Sequence, residues 1–322
     1  MGEPVRPAGR VRVGISRCLL GDEVRFDGGH KHDGFLTGTL GRFFEWVPVC
    51  PEVEAGMGIP RESVRLLSAS DGVRMVGVRS GKDFTGAMRL FCAGKVRELE
   101  TSALHGFILK KDSPSCGMER VRLYDTSGMP RKHGRGMFAG ELLDRFPQLP
   151  VEEEGRLHDP TLRENFIERV FAYFRWTEFV TSHPRPKDLV QFHTRHKLTI
   201  LSHDRPAYQQ LGRLVAKAGK CSFDQLLHEY GTLLMQALRH RATARKHANV
   251  LYHLMGYLKT ALEAPDKAEL ASYIEEYRNG MVPLIVPLTL LLHHFRRHPS
   301  SWVLEQTYLN PYPAELMLRN HV

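Results

Sequence analysis

Cysteine is scarce in this chain, five among 322 residues, and no two of them form a CxxC pair. A small disulfide scaffold needs dense, even-numbered cysteines, so that class is excluded. Long apolar runs are missing too. The longest, Met281 to Leu292, is 12 residues and is broken by Pro283 and Pro287, too short to span a bilayer. The amino terminus, MGEPVRPAGRVRVG, carries charge and proline but no apolar core, so no secretory signal is expected. Neither GxxxxGK[ST] nor HExxH occurs, which removes a P-loop phosphate cradle and the commonest zinc-protease helix. No internal repeat at a solenoid period is visible. These absences point to a cytoplasmic protein that does not enter membranes, with cysteines that are reduced and therefore free, catalytic or metal-bound.

What is present is an ordinary globular balance, 42% apolar and 25% charged, with a net charge of +9. The charge is uneven. Residues 1–155 carry 23 Lys or Arg against 21 Asp or Glu, whereas residues 156–322 carry 22 against 15, together with 13 of the 17 histidines. One half is nearly neutral and the other is suited to meeting anions.

The length suggests two domains. In the first half, Arg12–Ser16, Trp46–Val49, Arg74–Val78 and Gly106–Leu109 have strand length and β-branched or aromatic content. A helix is expected over Asp83–Leu104, with Phe84, Met88, Phe91 and Leu104 as apolar positions, and another over Arg135–Arg145, after a short apolar run at Val121–Tyr124. Strands alternating with helices imply an α/β domain, residues 1–150, with a mainly parallel sheet. The stretch Phe146 to Pro160 holds three prolines and an acidic triplet and reads as a linker. Beyond it, Thr161 with Glu164 suggests a capping box before Phe166, Ile167, Val170, Phe171 and Phe174. Ser222 with Gln225 repeats the signal, and the pattern stays helical to about residue 300. Residues 161–322 are expected to form an all-α domain.

Three cysteines share a local context. Cys18 follows the strand RVGIS, Cys50 follows WVPV, and Cys116 lies in KKDSPSCG after GFIL. In an open parallel sheet the loops at strand carboxyl ends converge on one crevice. The three thiols therefore meet there in one reading, although 31 and 65 residues separate them; buried packing cysteines are the other reading. Three thiolates with an open position are one way to hold a catalytic metal centre. Cys92, inside the expected helix, and Cys221 lack that loop context and read as structural.

The segments SRCLLGDEVRFDGGHK (Ser16 to Lys31), VCPEVEAGMGIPRE (Val49 to Glu62) and LKKDSPSCG (Leu109 to Gly117) resemble the TudS family of thiouracil desulfidases. FHTRHKLTILSHDRPAYQQLG (Phe192 to Gly212) and QTYLNPYP (Gln306 to Pro313) resemble the YbgA-type domain. Together they resemble the RudS arrangement, in which a desulfidase domain is fused to an RNA-binding one. The resemblance implies a [4Fe-4S] cluster held by Cys18, Cys50 and Cys116 with one iron left open. It also implies Glu52 and Ser113 as catalytic residues, and removal of sulfur from 4-thiouridine in tRNA. Sulfur is a soft ligand suited to an iron site, and coordination draws charge from the C–S bond. Free thiouracil or thionucleosides are the alternative substrates, and an RNA-binding iron–sulfur sensor without turnover is the alternative class. The glycines around His30, Lys31 and His32 suggest a loop crossing close to substrate.

In the helical half, His193, His196 and His203, and again His293, His294 and His298, invite a zinc reading, but no acidic or cysteine partner falls in phase. A basic surface accounts for them better, with Arg195, Lys197, Arg205, Arg296 and Arg297 alongside and a basic run from Arg239 to His247. Tyr208, Tyr252 and Tyr257 add aromatic surface for stacking on bases, so tRNA is the expected partner.

Overall fold

The structure, a computed structural model, describes residues 10–125 and 127–322. These divide into two compact units, one ending at His158 and the other running from Asp159 to Val322.

The first unit is α/β. Its main sheet contains β1 (Val11–Ser16), β2 (Phe44–Val49), β5 (Gly106–Leu109) and β8 (Val151–Glu153), in the order β2-β1-β5-β8 and parallel throughout. Every residue of β5 is buried, as expected of a parallel strand covered on both faces. Gly14 in β1 is required by close approach, because a side chain there would overlap the Phe107 ring of β5. A second sheet, of mixed direction, contains β3 (Val64–Ala69), β4 (Gly72–Gly77), β6 (Val121–Tyr124) and β7 (Pro130–Gly134), ordered β4-β3-β6-β7. Three helices complete the unit: α1 (Pro51–Glu54), α2 (Thr85–Glu100) and α3 (Met137–Arg145). Helix α2 buries Met88, Cys92, Val96 and Leu99 along one face, which makes Cys92 a core residue.

The stretch 146–160 is not a linker. Val151–Glu153 extends the main sheet along the edge of β5, and the acidic triplet is buried. Each carboxylate has a partner: Glu152 pairs with Arg156, Glu153 accepts from the Met118 N–H, and Glu154 pairs with Lys110. The first unit therefore runs past residue 150. The next helix is capped by Asp159, whose side chain accepts from the Leu162 N–H, and not by Thr161.

The second unit is helical: α4 (Pro160–Thr181), α5 (Pro186–His203), α6 (Arg205–Val215), α7 (Phe223–Arg239), α8 (Ala244–Gly256), α9 (Ala264–Arg278), α10 (Ile285–Arg297) and α11 (Ser301–Leu304). One apolar cluster centres on Trp176, Phe192, Leu211, Tyr230 and Leu234, and another on Leu251, Leu254, Leu270, Leu291 and Phe295. Among the described residues no helix is long and apolar enough to cross a membrane.

Several histidines expected on a basic surface lie in this core. His196 stacks on Phe192 at 3.9 Å between ring centroids, and His247 bonds the Tyr308 hydroxyl at 2.9 Å. Burial drives His196 and His247 down to about 3 and His193 to about 4, so all three are neutral. Burial acts on His203 too, but the Glu168 carboxylate 3.0 Å away outweighs it and raises that imidazole.

A pH dependence follows. Unfolded histidines protonate near pH 6.5, so below that value the unfolded state binds more protons than a native state whose histidines stay neutral. The contribution of His203 is complete below pH 6.5 and is lost as pH rises. The urea midpoint of the helical signal is expected to fall between pH 6.5 and pH 4. His247→Gln should flatten that fall by about 1.4 kcal/mol per pH unit; an unchanged slope would contradict the assignment.

Candidate metal centre

Parallel strands deliver their carboxyl ends to one edge of the sheet, where neighbouring strands lie about 4.8 Å apart. Cys50 leaves β2, Cys18 lies just beyond β1 in the turn Arg17–Leu20, and Cys116 sits in the loop after β5. Two of the three are half-buried and Cys116 is buried. Burial raises Cys18 to about 11, with Cys50 adding to the rise. Cys116 is raised by burial, by Glu52 and by both other thiols, while a bond from the Ser16 hydroxyl opposes the rise. The three thiols thus lie within one another's field. Cys92 is raised to about 12 by burial and Glu141, with no thiol near it, and Cys221 is exposed in the other unit.

Each loop is held by identifiable bonds. Gly21, at φ 102°, closes the turn after Cys18, and the Cys18 carbonyl accepts from the Lys31 N–H at 2.9 Å. The Cys50 N–H donates to Glu54 Oε1 at 2.8 Å, and its thiol faces the Val24 carbonyl at 3.8 Å. Ser113 Oγ accepts from the N–H groups of Ser115 and Cys116 at 3.3 and 3.1 Å, shaping the Cys116 turn. The carbonyls of Pro114 and Ser115 accept from Met137, Phe138 and Ala139, so this loop caps α3. That approach requires glycine at 136, where a Cβ would lie 2.5 Å from the Ser115 carbonyl oxygen.

Glu52 and Ser113, expected as catalytic residues, are joined through a third residue. The Ser115 hydroxyl donates to Glu52 Oε1 at 2.6 Å and lies 3.1 Å from Ser113 Oγ. With the Ser115 proton committed to Glu52, the Ser113 hydroxyl donates to Ser115. The other Glu52 oxygen accepts from Arg61 Nη2 at 2.5 Å and Nε at 3.0 Å, and Arg61 also bonds the Val24 carbonyl. On the far side of the cysteines, Lys110 pairs with Glu154 at 2.5 Å. His30, Lys31 and His32 are exposed; His32 bonds Thr37, and the Lys31 N–H bond to the Cys18 carbonyl ties this loop to the Cys18 turn through the backbone.

Ser16, Lys110, Ser115, Arg61 and Glu154 were not singled out from the sequence. The first four lie inside the three segments that carry the family resemblance, which was the available signal.

Among the described residues no three His, Cys, Asp or Glu side chains are close enough to share a single ion. Thiolates on one tetrahedral ion at about 2.3 Å would lie within about 4 Å of each other. In an iron–sulfur cluster each thiolate holds its own iron, so the ligands stand further apart. Three thiols on three loops of one sheet edge fit the second donor set.

Comparison with known proteins places both units. The family described as 2-thiouracil desulfurase matches residues 13–154, and a family described as a protein of unknown function (DUF1722) matches residues 197–313. The chain is 33% identical to the uncharacterized protein YbgA of Escherichia coli (strain K12), over 41% of this chain and 79% of that protein. It is 31% identical to the uncharacterized protein YbbK of Bacillus subtilis (strain 168), over 32% of this chain and 71% of that protein. Among solved structures it is similar to the [4Fe-4S]-dependent thiouracil desulfidase TudS, at 28% identity and a TM-score of 0.37, covering 46% of this chain and 94% of that one.

Arg61 and Glu52 have side chains only 6% and 14% exposed. Removing one partner of such a pair leaves an uncompensated charge. Arg61→Met is expected to destabilise the first unit by about 3 kcal/mol in urea unfolding and to speed alkylation of Cys50 by freeing Val24. A change within about 0.5 kcal/mol, the range of ordinary surface substitutions, would contradict this.

Proposed function

The chain belongs to the 2-thiouracil desulfurase family through residues 13–154 and to the DUF1722 family, with YbgA, through residues 197–313, and from that premise we propose that it is a [4Fe-4S]-dependent desulfidase of 4-thiouridine in tRNA. The observation that carries the reading is the convergence of Cys18, Cys50 and Cys116 at the strand ends of one parallel sheet. The net reaction is hydrolytic: water supplies the oxygen of the new carbonyl, the sulfur leaves as hydrosulfide, and one proton is left for the chain's own groups to take up.

Cys18, Cys50 and Cys116 would hold the cluster. Bound there, it supplies an iron without a protein ligand, a soft acceptor for thiocarbonyl sulfur. The chain's own polar groups handle protons. Arg61 occupies Glu52 Oε2, which leaves Oε1 as the accepting atom. A proton taken up by Ser113 Oγ passes to Ser115 Oγ and from there to Glu52 Oε1, along contacts of 3.1 and 2.6 Å. Ser115 is 1% exposed, which keeps bulk water from short-circuiting this path.

The helical unit supports a nucleic-acid substrate. Arg195, Arg205, Arg239, Arg241, Arg245, Arg296 and Arg297 are exposed, as phosphate contact requires. Tyr257 stacks on Trp302 at 4.6 Å, and Lys197 lies over the Trp302 ring at 4.4 Å, a surface with both stacking and charge.

The test is anaerobic incubation of the reconstituted protein with 4-thiouridine-containing tRNA, with residual 4-thiouridine counted after nuclease digestion. Free 4-thiouracil runs as competitor and Cys116→Ala as control. Loss from tRNA that requires Cys116 is expected. Loss from the free base alone would overturn the tRNA assignment, and no loss from either by a loaded protein would overturn the desulfidase. Ser115→Ala should keep the cluster and lower turnover by about 10²-fold, the lower end for a proton-transfer residue; full activity would remove Ser115 from the path.

A further inference from the structure

Two nearly buried ion pairs flank the cysteines from opposite edges of the sheet. Arg61–Glu52 lies beyond edge strand β2, and Lys110–Glu154 lies beyond β5 and edge strand β8. The first pins the Val24 loop and ends the proton path. The second has no such duty, although its side chains are only 14% and 9% exposed and its desolvation carries a cost.

Its geometry is rigid. Lys110 Nζ donates to Glu154 Oε1 at 2.5 Å and to the Lys111 carbonyl at 3.1 Å. Glu154 Oε2 accepts from the Lys111 N–H at 2.7 Å, and the Glu154 N–H donates to the Leu109 carbonyl at 3.1 Å. The Lys110 N–H donates to Ser16 Oγ at 2.9 Å, the hydroxyl that bonds Cys116. The ammonium is thus held against Glu154 at the end of β5, and the Lys110 backbone is tied to Ser16, the last residue before the Cys18 turn. Both charges of the pair reach Cys18, in opposite directions, as does Arg25. Two of the three ammonium N–H bonds are used within the described residues, which leaves one for a ligand.

We infer that Lys110, oriented by Glu154, is a positioning residue that holds a positive charge beside Cys18 to steady the anionic hydrosulfide product. The inference rests on the cluster reading above and adds a charge balance to it. The thiolates and the released sulfur are all anionic, and a nearby fixed cation stabilises them in a partly desolvated site. Cluster potential likewise follows net charge and hydrogen bonding around the sulfurs.

The test uses the full chain, reconstituted anaerobically, with sodium sulfide titrated against its visible spectrum and the midpoint potential measured. Lys110→Met removes a positive charge and should weaken sulfide binding roughly tenfold and shift the potential negative. Glu154→Gln removes a negative charge from the same pair and should strengthen binding and shift the potential positive. Lys110→Arg should restore both. A purely structural pair would send both variants in the same direction, so parallel shifts, or none, overturn the inference. Should Lys110→Met fail to load, Glu154→Gln decides alone: an unchanged or lowered potential overturns it. An unaltered chain that assembles no cluster overturns the underlying site reading as well, whereas a loaded chain with parallel shifts overturns only this one.

Discussion

Parallel hydrogen bonding sends the carboxyl ends of β2, β1, β5 and β8 to one edge of a single sheet, and the three cysteine loops are placed by that constraint. Cys50, Cys18, Lys110 with Cys116, and Glu154 follow the strand order across the edge. Residues far apart in the chain become neighbours without any of them needing a sequence motif. The buried face of β5 and the close contact of Phe107 over Gly14 hold β1 against β5. Core packing therefore decides whether two of the thiols share a site at all.

Around the thiols, backbone satisfaction and charge pairing do the positioning. The Cys116 loop is both a cap for α3 and a turn folded around the Ser113 hydroxyl, so moving it would expose several N–H groups together. Glu52 is tied to Arg61 on one oxygen and to Ser115 on the other, which gives its carboxylate one orientation. Ser113, Ser115 and Glu52 then form a directed chain, since each hydroxyl has one proton and that proton has one place to go.

The strands ending at the cysteines were legible because β-branched runs followed by Gly and Pro turns mark strand ends. The family segments pointed to Glu52 and Ser113. The partners were not legible. Ser115 meets Glu52 across 63 positions and Lys110 meets Glu154 across 44, and no local pattern encodes such pairings. The stretch Phe146 to Pro160 looked like a linker because proline and acidic residues usually mark exposed chain. Here β5 offered an open edge, and nearby N–H and cationic groups satisfied the carboxylates. The core histidines misled for a related reason, since His196 on Phe192 is set by packing that composition does not reveal. In the second sheet Arg74–Val78 and Val121–Tyr124 were legible as apolar runs, whereas β3 was not recognised and β7, PRKHG, has no apolar alternation.

The helical unit has a different logic, with an apolar interior that keeps His193, His196 and His247 neutral and an exterior where arginines dominate. Those three histidines therefore add nothing to its positive charge near neutral pH. The account stands or falls on whether three strand-end thiols act as one centre. The most direct measurement is the iron and sulfide content, with the Mössbauer spectrum, of the anaerobically reconstituted full chain and of its single Cys→Ser variants. The account requires a full [4Fe-4S] cluster in the unaltered chain and in Cys92→Ser, and its loss in Cys18→Ser, Cys50→Ser and Cys116→Ser alike. A cluster retained by any of those last three, or lost with Cys92, would contradict it.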